Sequence, residues 1–306
     1  MNALNAPFPY FGGKRRIAQR VWNALGDPAG YVEPFAGSAA VLLQRPTFKG
    51  RRVETLNDAD GWLVNAWRAI CLNPAATAAA ASGPVTEIDY HARLAWLQAR
   101  RDKDLVSWLE GNPEHHDAKA AGWWLYVMAC GIGNPFEKGP WHVVDGRLVK
   151  SDAGQGIKRE LPHLTGYLQM LSDRLKRVRI TCGDWCRVLS PSVARAGCGG
   201  DGARAVFLDP PYETGTNLYS GGNAAEGLSA AARDWCMTAP KGLRIVIAGY
   251  NEEHSQLEGI GWRRQQGKAG RGYNISSTAG RRERLWLSPA CIGHHQPALL
   301  DAMDHE

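Results

Sequence analysis

The stretch Ala205-Val206-Phe207-Leu208-Asp209-Pro210-Pro211-Tyr212 decides how the rest of the chain is read. Four apolar residues make a short buried strand, and an acid, two prolines and an aromatic end it at once. Neither proline carries a backbone N–H, each fixes its own φ, and Pro211 restricts Pro210. A stiff corner therefore stands at the carboxyl end of the strand. In an open α/β sheet that end is where ligands bind. An exocyclic amino group suits the corner, because the Asp209 carboxylate and the Pro210 carbonyl both accept N–H bonds while Tyr212 offers a ring for stacking. An ordinary Pro-Pro turn after a strand is the competing reading. The apolar run before the motif and the tyrosine after it favour the ligand site.

Working outward, 306 residues suffice for one large domain, or one domain with an insert. A net charge of +6 favours a polyanionic partner, with cations clustered in Lys49–Arg52, Arg174–Arg179, Arg263–Arg271 and Arg281–Arg284. Such runs are also what solvated faces look like. Seven cysteines, an odd number scattered through apolar runs, point to a reducing compartment. Cys182-x-x-x-Cys186 lacks the second cysteine pair of a zinc site, so no metal is expected. No signal-peptide pattern opens the chain and no apolar run reaches spanning length, Ala76–Ala81 being too short, so a cytoplasmic location with no membrane partner is expected.

From the N-terminus, Tyr10-Phe11-Gly12-Gly13-Lys14 places two glycines, which allow close backbone approach, before a lysine that can meet a carboxylate or phosphate at the start of a helix over Ile17–Leu25. Gly30–Leu43 reads as strand, small-residue turn and helix, with Glu33-Pro34-Phe35-Ala36-Gly37 at the turn. It is neither a dinucleotide fingerprint nor a P-loop. A second strand, Arg52–Leu56, leads to Asn57-Asp58. An acid there, about 20 residues after the glycine turn, is placed to accept bonds from ribose hydroxyls, or to cap the helix over Trp62–Cys71. A third strand runs from Arg179 to Asp184-Trp185, where the acid either meets an adenine amino group with Trp185 beside the ring, or caps a helix. Leu243–Tyr250 reads as a buried strand, and Trp262–Gln266 with Arg284–Leu287 as a closing antiparallel pair.

The strand and helix rhythm is lost between Pro84 and about Arg174. Three segments follow: 1–83, a first catalytic part; 84–174, an insert, largely helical or irregular; and 175–306, the second catalytic part. Helices are expected over Tyr90–Arg101 and Ala118–Cys130, with Trp123–Met128 read as the insert's core rather than a base-stacking platform. Glycine-rich sequence with Arg147, Lys150, Lys158 and Arg159 suits a nucleic-acid surface, and the later loop with Lys268 and Arg271 suits phosphate contacts. Glu213–Gly227 reads either as a lid beside the site or as a plain mobile loop.

The order of these pieces resembles the DNA adenine N6-methyltransferases of the Dam-like class, with Gly154–His163 most similar to phage-encoded members. The resemblance rests on Tyr10–Lys14, Glu33–Val41, Asn57-Asp58, Asp184-Trp185, Asp209–Tyr212 and the closing Arg281–Pro289. It implies an α/β, Rossmann-like mixed sheet of the S-adenosylmethionine-dependent type, with 84–174 as a target-recognition insert. It implies S-adenosyl-L-methionine held by Tyr10, Gly13, Lys14, Glu33, Pro34, Phe35, Gly37, Asp58, Asp184 and Trp185. It further implies a flipped adenine stacked on Tyr212, N6 bonded to Asp209 and the Pro210 carbonyl at the Pro210-Pro211 corner, and a nucleoid-associated enzyme. The family usually has a second glycine where this chain has Ala39. A cytosine N4-methyltransferase shares the acceptor logic, and a non-catalytic DNA-binding protein could keep the fold.

Overall fold

The computed structural model describes residues 4–10, 13–46, 52–101, 109, 115–131, 143–144, 147–148, 157, 160–190, 202–211, 227–266 and 283–292. Tyr212, Lys150, Lys158, Arg159, Lys268 and Arg271 lie outside these residues, as does the 213–226 part of the expected lid, and of Arg147 only the backbone is described.

Seven strands form one sheet: β1 (Gly30–Glu33), β2 (Val53–Asp58), β5 (Val178–Cys182), β6 (Arg204–Leu208), β7 (Arg244–Tyr250), β8 (Arg263–Gln266) and β9 (Glu283–Leu287). Their order across the sheet is β5-β2-β1-β6-β7-β9-β8. The first five run parallel, and β9 is antiparallel to both β7 and β8. Two short strands, β3 (Val143–Val144) and β4 (Arg147–Leu148), pair antiparallel on their own.

Strand faces alternate, and both are covered. Tyr31, Ala205, Phe207, Val246, Ala248, Leu285 and Leu287 enter one apolar cluster, and their neighbours Val32, Val206, Leu208, Ile245, Ile247 and Trp286 enter the other. Two-sided burial explains why β6 and β7 read as continuous apolar runs instead of alternating ones. The first cluster is the thicker and takes α1 (Ala18–Leu25), α2 (Ala40–Leu43), α3 (Gly61–Leu72), α4 (Pro74–Ala81), α5 (Glu87–Arg101), α6 (Ala118–Cys130) and α7 (Leu161–Leu175). On the other side lie α8 (Leu228–Thr238) and two 3-10 turns, Trp185–Leu189 and Ser255–Ile260.

α3 to α7 all fall in the connection between β2 and β5, so the segment that breaks the rhythm is an enlarged crossover. Its helices share a core with the sheet. α6 packs on α3 and α4, α7 packs on the same two, and Trp124, Leu125, Tyr126 and Val127 are buried there. Tyr167 of α7 also reaches the N-terminal segment, its hydroxyl donating to the Asn5 carbonyl at 2.7 Å. Two of the basic runs converge in the same layer: Arg45, Arg52 and Arg174 all pair with the buried Glu54, at 2.9, 3.7 and 2.8 Å. Those arginines serve the fold instead of a solvated face. No helix among the described residues is long and apolar enough to cross a membrane.

Because β2 and β5 lie to one side of β1 while β6 and β7 lie to the other, the strand order reverses between β1 and β6. The carboxyl ends of those two strands flank the crevice where open α/β sheets take ligands. The fold is α/β and Rossmann-like, with a mostly parallel mixed sheet.

Candidate active site

Three chain segments meet on one side of this crevice. β6 delivers Asp209, with Pro210 buried behind it and Pro211 half-buried. From the N-terminal segment comes Lys14, which opens a 3-10 turn over Lys14–Arg16 and is almost fully buried. Its Nζ lies 3.0 Å from Asp209 Oδ1 and 3.1 Å from Glu283 Oε1. Glu283 begins β9, which runs antiparallel to β7 and so starts at the same end of the sheet, in register with Tyr250. Burial pushes the Tyr250 phenol up, and the charges of Lys14, Glu283 and Asp209 act on it as well. A buried ammonium shared by two carboxylates holds Asp209 in one orientation at the corner.

The turn after β1 forms the facing wall. Glu33 is buried and accepts a 2.6 Å bond from the Tyr31 hydroxyl, and burial pushes its carboxyl up to about 8. Asn57 ties three strand ends together: its amide donates to the Pro34 and Gly183 carbonyls, each at 3.0 Å, and its oxygen accepts from Thr181 Oγ1 at 2.9 Å. Asp58 accepts from the Gly37 amide at 2.9 Å and from the Asp60 amide at 3.0 Å, and burial pushes its carboxyl up to about 6.

Gly37 adopts φ +47, where an L side chain is strained, and a Cβ there would lie 2.7 Å from the Tyr10 ring. The missing side chain thus makes room for Tyr10. The Gly37 carbonyl accepts from Trp67 Nε1 at 3.2 Å, and Phe8 stacks edge-on against both Tyr10 and Trp124. Gly13 is also closely fitted, a Cβ there falling 3.2 Å from the Tyr10 carbonyl. Ala39 adopts φ 50 and is fully buried, so this non-glycine residue sits in the left-handed region at the start of α2.

At the far edge of the crevice Phe35 and Trp185 stack, with centroids 5.5 Å apart and planes 25° from parallel. Asp184 is exposed beside them and caps the 3-10 turn by accepting from the Cys186 amide at 2.8 Å; the Cys186 thiol first, and this amide with it, hold its carboxyl below the usual range. Asp184 therefore does act as a cap. The alternative capping role for Asp58 falls instead to Asp60, whose Oδ1 accepts from the Trp62 and Leu63 amides. β2 runs two residues further than expected, and its ladder occupies Asp58.

The structure thus gathers Tyr10, Gly13, Lys14, Glu33, Pro34, Phe35, Gly37, Asp58, Asp184, Trp185, Asp209, Pro210 and Pro211 along the carboxyl edge of β5, β2, β1 and β6. Glu283, Tyr250 and Asn57 belong with them, although the sequence assigns none of the three a role at the site. Among the described residues no cluster of His, Cys, Asp and Glu could hold a metal ion. No protein-family model matches the chain, and no curated protein matches it.

Proposed function

We propose that the protein is a DNA methyltransferase that moves a methyl group from S-adenosyl-L-methionine to the N6 amino group of adenine. On this reading the sheet is of the S-adenosylmethionine-dependent type, 84–174 serves target recognition, and the protein works on double-stranded DNA in the cytoplasm. The observation that carries the reading is the Asp209-Pro210-Pro211 corner, placed at the strand-order reversal beside the Glu33–Gly37 turn and clasped by Lys14.

The residues present fit the methyl donor. Asp58 and Asp184 each already accept backbone N–H groups, and a carboxylate has about four lone-pair sites, so both retain capacity for ribose hydroxyls and an adenine amino group. Phe35 and Trp185 form an aromatic wall beside Asp184 for a flat base. When bound, S-adenosyl-L-methionine supplies a methyl carbon made electrophilic by its sulfonium sulfur.

The chain's own contribution is to the amino group. Its nitrogen lone pair is delocalised into the adenine ring, so the site must favour a more tetrahedral nitrogen. Asp209 and the Pro210 carbonyl do so as fixed acceptors that also oppose the positive charge growing on N6. Lys14 holds the carboxylate in position beforehand, so little reorganisation accompanies the step. Tyr212, next after the corner, supplies the stacking ring for an extruded base.

Incubating the protein with DNA and methyl-labelled S-adenosylmethionine, then digesting to nucleosides, tests the reading. N6-methyladenine is the expected product, and N4-methylcytosine would transfer the same geometry to the other base. Asp209→Ala is expected to abolish transfer and leave cofactor binding within a few-fold. Near-normal turnover by that variant would remove Asp209 from the mechanism.

A further inference from the structure

Away from the crevice, α5 and α6 lie side by side and antiparallel, and their outer surface interleaves cations with aromatic rings. Trp96 and Trp123 meet edge to face, with centroids 4.9 Å apart. Arg100 lies 3.7 Å above the Trp96 ring and Lys119 4.5 Å from Trp123 and 5.4 Å from Trp96, while Arg93 reaches inward to the buried Tyr126 ring at 3.9 Å. Arg100 and Lys119 are exposed, and both Trp rings are half-buried.

Helix stability does not account for Lys119. It stands in the first turn of α6, where the helix dipole disfavours a cation. Nor does it account for two like charges converging on the Trp96 ring. Each indole face attracts a cation, but the pair repel each other unless an anion lies between them. Among the described residues, neither Arg100 nor Lys119 forms a salt bridge with a carboxylate.

The strip's position gives the anion its identity. Asp117, the cap of α6, and Asn65 of α3 exchange two bonds of 3.0 Å, from Asn65 Nδ2 to the Asp117 carbonyl and from the Asp117 amide to Asn65 Oδ1. α3 begins directly after the carboxyl end of β2, so the Arg100–Lys119 end of the strip lies at the same end of the fold as Asp209, and Arg93 lies further from it.

We propose that this strip tracks the phosphate backbone of duplex DNA flanking the target base, with Arg100 and Lys119 each contacting a phosphate. The assignment rests on the methyltransferase reading above, and it adds a surface outside Arg147–Arg159 and Lys268–Arg271. An Arg stacked on Trp keeps its in-plane N–H fork available to phosphate oxygens, which is how a cation–ring pair can also serve an anion.

The test is duplex binding by fluorescence anisotropy over a salt series, for the parent and for Arg100→Gln/Lys119→Gln. Calorimetric binding of S-adenosylmethionine runs in parallel. The double variant is expected to keep cofactor affinity and melting temperature, to lower the slope of log K against log salt by about two, and to weaken two duplexes of unrelated sequence equally. A slope equal to that of a DNA-binding parent overturns the strip and leaves the methyltransferase reading standing. A parent that binds no duplex overturns both. An unchanged slope together with lost binding of a polyglutamate peptide would assign the strip to an acidic protein and refute the proposal. If the double variant melts early, Lys119→Gln alone decides. It removes an exposed and unfavourable helix charge, and its slope must still fall by about one.

Discussion

Replacing Lys14 with methionine tests the clasp on which the crevice depends. At an effective dielectric of about 20, each contact near 3 Å carries about 5 kcal/mol of Coulomb attraction, most of it offset by desolvation and by repulsion between the two carboxylates. Removing one partner of a buried pair typically costs 3–5 kcal/mol, and the 18% exposure of both carboxylate side chains puts this case near the lower end, about 3 kcal/mol. For a chain of 306 residues unfolding with about 2.1 cal/mol/K per residue, that lowers Tm by about 5 °C. Thermal melts of both proteins at one pH measure it. Lys14→Met/Glu283→Gln is expected to recover part of the loss, because a single carboxylate then remains. Equal melting temperatures for the parent and Lys14→Met would refute the account.

Two further substitutions probe the turn after β1. Gly37→Ala puts a Cβ 2.7 Å from the Tyr10 ring at φ +47, so a loss of about 2–3 kcal/mol is expected from overpacking and left-handed strain; denaturant unfolding giving under about 0.5 kcal/mol would contradict the close fit. Burial pushes the Asp58 carboxyl up to about 6; on the proposed methyltransferase reading its ionised form is the one that accepts two ribose hydroxyls, so S-adenosylmethionine affinity by calorimetry should fall roughly tenfold from pH 7.5 to pH 5. Asp58→Asn should bind more weakly, with that pH dependence gone, and a variant with the parent's profile would assign the titration elsewhere.

Much of this geometry could be read from local sequence. β6 and β7 are continuous apolar runs because both sheet faces are covered, and the Asp209-Pro210-Pro211 corner needs only residue chemistry to be recognised. The glycine turn was legible too, although its close neighbour is the Tyr10 ring. Partners distant in the chain were not. Nothing near Lys14 names Glu283, and nothing near Asn57 reveals that its amide bridges the ends of β1 and β5. Capping is a matter of which acid the ladder leaves outside it, which is why the role passes from Asp58 to Asp60. The helix Leu161–Leu175 lies outside the expected helices because a glycine-rich stretch precedes it, although Leu161, Leu164, Leu168, Leu171 and Leu175 carry its period.

β9 lies inside the sheet, between two strands that precede it in the chain. During synthesis β7 therefore emerges with an unsatisfied edge, and β8 has no neighbour to join until β9 arrives. Glu283 travels with that strand, so Lys14 meets its second carboxylate only after residues 15–282 have been made. A nascent polypeptide halted before residue 283 would already carry the aspartate and prolines of the corner, yet the crevice would close into its final shape only once the sheet is complete.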